Sequence, residues 1–310
     1  MTEAFAIGDP DRTTVRVRVP AKINLHLGVG DKRADGFHDL TTVYQAVSLY
    51  DEVVAESADD VSARVTGEGA GALPVDDRNL AVRAARLLAE RSGVPCRVRL
   101  SIHKRIPLAG GLAGGSADAA AALLACARLW GLALSRADLM EVAAELGSDV
   151  PFCLVGSVAL GSGHGEVVEP VEAGGTYHWV VAVSEGELST PMVYGEVDRL
   201  REAGVGRYHD DVSELLEALK SGADAMVLGP LLHNDMAEAA VSLRPQLAEV
   251  LAAGADDGAV ATLVSGSGPT VVFLARDEHH GHALAARLRL RGVARAVHHL
   301  TGPVPGAVVW

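Results

Sequence analysis

Aromatic side chains are scarce in this chain: four Phe, five Tyr and three Trp, or 4% of 310 residues. Leu, Val and Ala must therefore fill whatever core it builds, and an apolar content of 49% is enough for one. Cysteine is scarcer still. Cys96, Cys126 and Cys153 sit in apolar surroundings without C-x-x-C spacing. That odd, scattered set excludes a disulfide framework and fits reduced thiols in the cytoplasm. Positive charge is in deficit, since 27 Lys and Arg against 40 Asp and Glu leave a formal −13 at pH 7. Such a chain has no general attraction for nucleic acid or an anionic membrane, so a polyanionic ligand must be held by local donors. No uncharged apolar run reaches about 18 residues, which argues against a membrane span. The opening MTEAFAIGDPDR lacks the basic start and apolar run of a signal peptide. The expectation is a soluble cytoplasmic protein with no nucleic-acid or membrane partner.

What the chain does have is glycine in useful company. From Pro107 to Leu124 it reads PLAGGLAGGSADAAAALL, opening directly into an Ala/Leu-rich helix expected from Ser116 to about Trp130. Glycine lacks Cβ, so backbone N–H groups can turn inward and approach an anion closely. The helix mouth adds free N–H donors and the positive end of a dipole. Ser116 is the expected cap, with Asp118 complementing the dipole. Together these features describe a phosphate cradle. The spacing is neither the P-loop nor the dinucleotide fingerprint, and on this stretch alone a tight turn before a core helix also remains open.

The remaining chain divides near residues 160–177. Thr13–Val19 (TTVRVRV) alternates as a half-buried strand, and Ile23, Leu25 and Leu27 alternate with Lys22, Asn24 and His26 in a second strand. RADGFH is a turn with Asp35-Gly36 at its tip, placing Phe37 and His38 before the strand LTTVYQAVSL. Helical spacing covers Asp76–Ser92, and Val98, Leu100 and Ile102 mark an inward strand face. Lys104-Arg105 reads as part of the solvated face. A helix over Arg136–Leu146 leads to Ser148-Asp149-Val150-Pro151 and an apolar strand from Phe152 to Val155. Asp149 could cap its own turn or aim a carboxylate across the cradle. Gly156–Glu166 reads as a hairpin turn. Beyond it, a strand over His178–Val183 precedes helices over Thr190–Ala203, Val212–Lys220, Leu231–Ala240 and Leu243–Ala253. Strands at Ala259–Val264 and Thr270–Ala275 flank the turn SGSGPT, and a helix over Glu278–Arg291 precedes a last strand. That order is a split β-α-β sandwich with added helices. The adjacent pairs His279-His280 and His298-His299 make a poor metal site, and no metal-ligand set is assigned.

Three features therefore occur in fixed order: PAKINLHLGV, PLAGGLAGGSADAAAA and SGSGPTVVF. This order resembles the GHMP small-molecule kinases, and the resemblance covers most of the chain. It implies an α+β, two-domain GHMP-kinase fold: an N-terminal ribosomal-protein-S5-like domain (1–165) that binds ATP, and a C-terminal ferredoxin-like split β-α-β domain (166–310). RADGFHDLTTVYQ and LGSDVPF are similar to the branch whose acceptor alcohol is carried on cytidine diphosphate, the 2-hydroxyl of a linked methylerythritol. On that resemblance Pro107, Leu108, Ala109, Gly110, Gly111, Leu112, Ala113, Gly114, Gly115, Ser116 and Ala117 would wrap the ATP phosphates. Asp149 would be the catalytic carboxylate and Lys22 its cationic neighbour. Asn24 and His38 would contact substrate, with Phe37, Tyr44 and Tyr194 around the cytosine. Mg²⁺ is expected with ATP, and the chain is expected as a monomer or weak homodimer. Alanine at Ala109 and Ala113, where relatives often carry glycine, implies that neither position is left-handed. Other members of the family acting on homoserine, mevalonate or a sugar are the nearest rivals. A catalytically silent nucleotide-binding relative is the remaining one.

Overall fold

The computed structural model describes residues 13–34, 36–108 and 110–310. The expectations for the first twelve residues, for Asp35 and for Ala109 lie outside these. The order is β1 (Thr14–Lys32), β2 (His38–Ser57), β3 (Ser62–Gly67), α1 (Leu80–Ser92), β4 (Val98–Lys104), α2 (Gly114–Leu129), α3 (Arg136–Leu146), α4 (Val150–Val155), β5 (Val158–Ser162) and β6 (Val167–Val171). It continues with β7 (Tyr177–Val183), α5 (Thr190–Glu202), α6 (Ser213–Ser221), α7 (Ala225–Leu228), β8 (His233–Asn234), α8 (Ala237–Leu243) and α9 (Gln246–Asp256). The last elements are β9 (Ala261–Val264), β10 (Val271–Ala275), α10 (Glu278–Arg291), β11 (Ala296–Gly302) and β12 (Val308–Val309).

Two sheets organise these elements. In the first, β12, β1, β2, β4 and β3 lie side by side, with β5 on β2, β6 on β5, and β8 parallel to β1. The two strands expected near the start are one. Pro20, which cannot donate to a ladder, sits at a register shift between Pro20 and Ala21 instead of ending the strand. α2 runs through the first core with its alanines fully buried, since small side chains let it lie close to its neighbours. The second sheet has the order β11-β7-β10-β9 with every pair antiparallel. Numbered within that half this is 4-1-3-2, the split β-α-β arrangement expected.

Three further local expectations fail within the two sheets and their helices. Phe152–Val155 is helix, not strand: Pro151 occupies the first turn of α4, where a missing N–H costs nothing. The helix expected over Leu231–Ala240 starts only at Ala237. Asn234 instead donates its amide to the carbonyls of Val264 and Gly266, which holds residues 233–234 extended against β1. Lys104 is not on a solvated face. It is the fourth inward residue of β4, in phase with Val98, Leu100 and Ile102, and is fully buried. Among the described residues no helix is long and apolar enough to cross a membrane, and the three cysteines are free.

Candidate active site

The three motifs meet around one cleft of about 840 Å³. Its lining includes Lys22, Asn24, Phe37, His38 and Tyr44 from the first motif region, and Gly110, Gly111 and Ala113–Ser116 from the cradle. Asp149, Tyr194, Gly266 and Ser267 complete it from the later elements. Pro107, Leu108, Leu112 and Ala117 are not in this lining. Leu112 instead accepts the backbone N–H of Lys22 at 3.2 Å, so the cradle is tied to β1.

Glycine is required here by contact as well as conformation. Gly111 has φ +72°, and a Cβ on it would lie 2.0 Å from the Ser265 carbonyl oxygen. Ser265 in turn donates its hydroxyl to the Gly111 carbonyl at 3.0 Å. The cradle thus packs backbone-to-backbone against the SGSGPT turn. The helix begins two residues earlier than expected, at Gly114, and its cap position is Ala113, with φ +59° and no side-chain bond. Both earlier readings are corrected: Ser116 lies inside the first turn, and Ala113 is left-handed. Ser116 lines the cleft.

Opposite the cradle, Lys22 Nζ donates to Asn24 Oδ1 at 2.7 Å and stands 3.7 Å from Asp149 Oδ2. Asn24 passes the chain on to Thr42 Oγ1 at 2.8 Å. Lys22 is nearly buried, whereas the Asp149 side chain is 30% exposed. Asp149 precedes α4 but makes no capping bond to it, so of its two readings the carboxylate aimed into the cleft is the one observed. Burial, and then the nearby Asp149 charge, raise the Tyr44 hydroxyl well above its ordinary value. The same two causes push Tyr194 up to about 12.

At the other end, His38 stacks on Tyr194 with centroids 4.9 Å apart, and Phe37 stacks on His164 at 4.8 Å. Tyr44 is enclosed, its ring stacked on Phe152 at 4.8 Å. His38 Nε2 donates to Asp198 Oδ1 at 2.8 Å. A carboxylate only accepts, so Nε2 carries a proton, and in the neutral tautomer this bond selects, Nδ1 is an acceptor. Asp198 was not expected from sequence, yet it lies four residues after Tyr194 on α5, hence on the same helix face.

A buried ion cluster stands behind the helix mouth. Lys104 Nζ donates to Asp51, to Asp118 Oδ2 at 2.7 Å and to the Gly114 carbonyl at 3.0 Å. Asp118 is therefore no exposed partner of the dipole but part of a scaffold holding the first turn of α2. Asp51 also receives the backbone N–H groups of Arg105 and Ile106. Asp118 Oδ1 has no partner, and burial is the largest cause raising that carboxyl.

Comparison with known proteins agrees with this geometry. Residues 79–157 match the GHMP kinases N terminal domain, and residues 211–294 match the GHMP kinases C terminal domain. A 4-diphosphocytidyl-2-C-methyl-D-erythritol kinase of Salinispora arenicola is 54% identical over 314 residues, covering 100% of both chains. The protein of the same name from Mycobacterium tuberculosis is 52% identical, over 96% of this chain and 93% of its own. A crystal structure of 4-(cytidine 5'-diphospho)-2C-methyl-D-erythritol kinase aligns with TM-score 0.75 at 34% identity, covering 92% of this chain and 98% of that one. A homoserine kinase from Cytophaga hutchinsonii aligns with TM-score 0.74 but only 21% identity, a likeness of fold.

Proposed function

Because the chain belongs to the 4-diphosphocytidyl-2-C-methyl-D-erythritol kinases of the GHMP superfamily, we propose that the cleft is where it does this family's chemistry, with Lys22 and Asp149 as its catalytic pair. The enzyme is an ATP-dependent small-molecule kinase that phosphorylates 4-diphosphocytidyl-2-C-methyl-D-erythritol in the non-mevalonate isoprenoid pathway. The acceptor is its 2-hydroxyl. The observation that carries the assignment is the 3.7 Å approach of Lys22 Nζ to Asp149 Oδ2 across from the glycine cradle.

An alcohol has a pKa far above 7, so a base must take its proton as oxygen attacks the γ-phosphorus. Asp149, partly exposed and uncapped, is that acceptor. Lys22 stands beside the carboxylate and neutralises charge gathering on the phosphoryl oxygens. In a loose transition state, holding the reactants in line matters more than base strength. That alignment comes from two directions. The backbone N–H groups of Gly110–Ser116 hold the triphosphate. Phe37, His38 and Tyr194 grip the pyrimidine, with His38 Nδ1 accepting from the exocyclic amine of cytosine.

An Mg²⁺ ion accompanying ATP would supply charge screening for the phosphate oxygens. Ser116 and Asp149 offer hard oxygen donors and line the same cleft, so they fit such an ion and would hold it. Every residue invoked comes from one chain, so the reading needs no second copy. Competition by cytidine nucleotides tests the pyrimidine grip: CDP should compete with the acceptor substrate and leave the KM for ATP unchanged. Equal competition by UDP would overturn the assignment of His38.

A further inference from the structure

Away from the cleft lining, three ligand-type side chains converge: His209 Nδ1, His233 Nε2 and Asp235 Oδ1 all lie within 4.8 Å of one another. His209 Nδ1 is 2.6 Å and His233 Nε2 2.7 Å from the same carboxylate oxygen. The two rings tilt at 55° with centroids 4.0 Å apart. They come from distant stretches, the connection between α5 and α6 and the short strand β8.

The carboxylate is fixed before any ligand arrives. The Asp235 side chain is 2% exposed, and its Oδ2 accepts the Val29 backbone N–H at 2.8 Å, the His209 backbone N–H at 3.3 Å and Arg201 Nη2 at 3.4 Å. Oδ1 is thereby left to the rings. The loop bearing His209 is seated with little slack. His26 Nε2 donates to the His209 carbonyl at 2.8 Å, and Tyr208 shares a hydrogen bond with Thr41 at 2.8 Å. A Cβ on Gly28 would sit 1.9 Å from the His209 carbonyl oxygen, so only glycine allows this approach.

We propose that His209, His233 and Asp235 form a binding site for a divalent transition-metal ion of the zinc type, separate from the ATP cleft. Two imidazoles and one carboxylate suit borderline ions such as Zn²⁺ or Co²⁺, whereas Mg²⁺ and Ca²⁺ favour oxygen ligands alone. The present spacings are those of hydrogen bonds, in which each ring gives a proton to Asp235. An ion bound at about 2.1 Å from nitrogen replaces those protons and asks each ring to retreat by roughly 1 Å or less. The His209 and His233 side chains are 33% and 37% exposed, so they can move outward and water can complete the coordination. Arg201 and the Val29 N–H remain on Oδ2 as outer partners that orient the carboxylate. Arg207, which donates to His209 Nε2 at 3.1 Å, is exposed and swings clear when that nitrogen takes up the ring proton. The ion acts as a staple. It joins the α5–α6 connection to β8, whose Asn234 holds the Gly266 carbonyl at the cleft wall.

The test uses the full chain, stripped with a chelator. Co²⁺ should give a visible absorption saturating at one ion per chain, reversed by Zn²⁺ and untouched by excess Mg²⁺. Zn²⁺ should raise Tm by several degrees. His209→Gln and His233→Gln should abolish both effects, while His279→Gln, on the surface elsewhere, should keep them. Absence of the Co²⁺ band in the unsubstituted protein overturns the proposal without any variant. So does a band that Mg²⁺ displaces, or one that survives both substitutions. Should one histidine variant fail to fold, the other decides, circular dichroism serving as the check.

Discussion

The Asp149 carboxylate stands 3.7 Å from Lys22 and makes no capping bond to the helix it precedes. A carboxylate at a helix start ordinarily turns back to cap the first N–H groups. This one is kept for the cleft. Asp149→Asn removes the proposed proton acceptor while keeping size and shape, so kcat should fall about a hundredfold or more with little change in the affinity for ATP. Steady-state kinetics with ADP release as readout decides it, and near-normal turnover would exclude the role.

Asp198 touches no expected reacting atom and acts through His38. Asp198→Ala frees the His38 Nε2 proton and lets the ring choose either tautomer. The KM for the cytidine-bearing substrate should rise about tenfold, the size of one charge-assisted hydrogen bond. Both kcat and the KM for ATP should stay within about twofold. A fall confined to kcat would contradict this. Restoration by Asp198→Glu would support it.

Left-handed backbone in the cradle gives opposite expectations at two neighbours. Ala113 has φ +59°, a conformation costing an L-residue about 1 kcal/mol or more. Ala113→Gly should therefore stabilise the protein by roughly 0.5–1 kcal/mol in denaturant melts. Gly111→Ala adds a Cβ 2.0 Å from the Ser265 carbonyl oxygen and should destabilise by about 2 kcal/mol or more, with loss of ATP binding.

The cluster under the helix mouth gives a pH dependence. Burial pushes the Asp118 carboxyl up to about 8 despite the pull of Lys104, against about 3.9 in an unfolded chain. Folding therefore favours the protonated form. Its contribution is complete below about pH 4, declines as pH rises, and is gone above about pH 8. Asp118→Asn mimics the protonated acid, so its Tm should change less than that of the parent between about pH 6 and about pH 8.5. Lys104→Met leaves the Asp51 carboxylate buried without its cation and should cost about 3–5 kcal/mol. An unchanged melt for Lys104→Met would remove the cluster from any account of stability.

How much of this could be read in advance depended on range. The element order and the three motifs are local signals, and helices such as Glu278–Arg291 fall where periodicity puts them. The inward phase of β4 was also readable, since Lys104 follows Val98, Leu100 and Ile102 at spacing two. Charge overruled period there, wrongly, because its two acidic partners come from β2 and α2. Asp149 stayed undecided for the same reason: its partner Lys22 is 127 positions away. The failed helix over Leu231–Ala240 belongs with them, as the Asn234 amide bonds backbone some thirty residues later. The Tyr194–Asp198 pair is legible in the sequence, since spacing four puts both on one face of the expected helix.

The last three residues lie against the start of the strand that carries Lys22. Val309 pairs with Val17, and the Trp310 N–H donates to the Arg16 carbonyl. Further along, β8 covers the same side at His26 and Leu27. An open strand margin is a template for joining a foreign strand, and proteins commonly blunt it with short covering segments. Here both covers come from the opposite half of the chain. Proteolytic loss of the tail would uncover a sticky rim at Arg16–Arg18, and a shortened protein should self-associate before it loses its secondary structure.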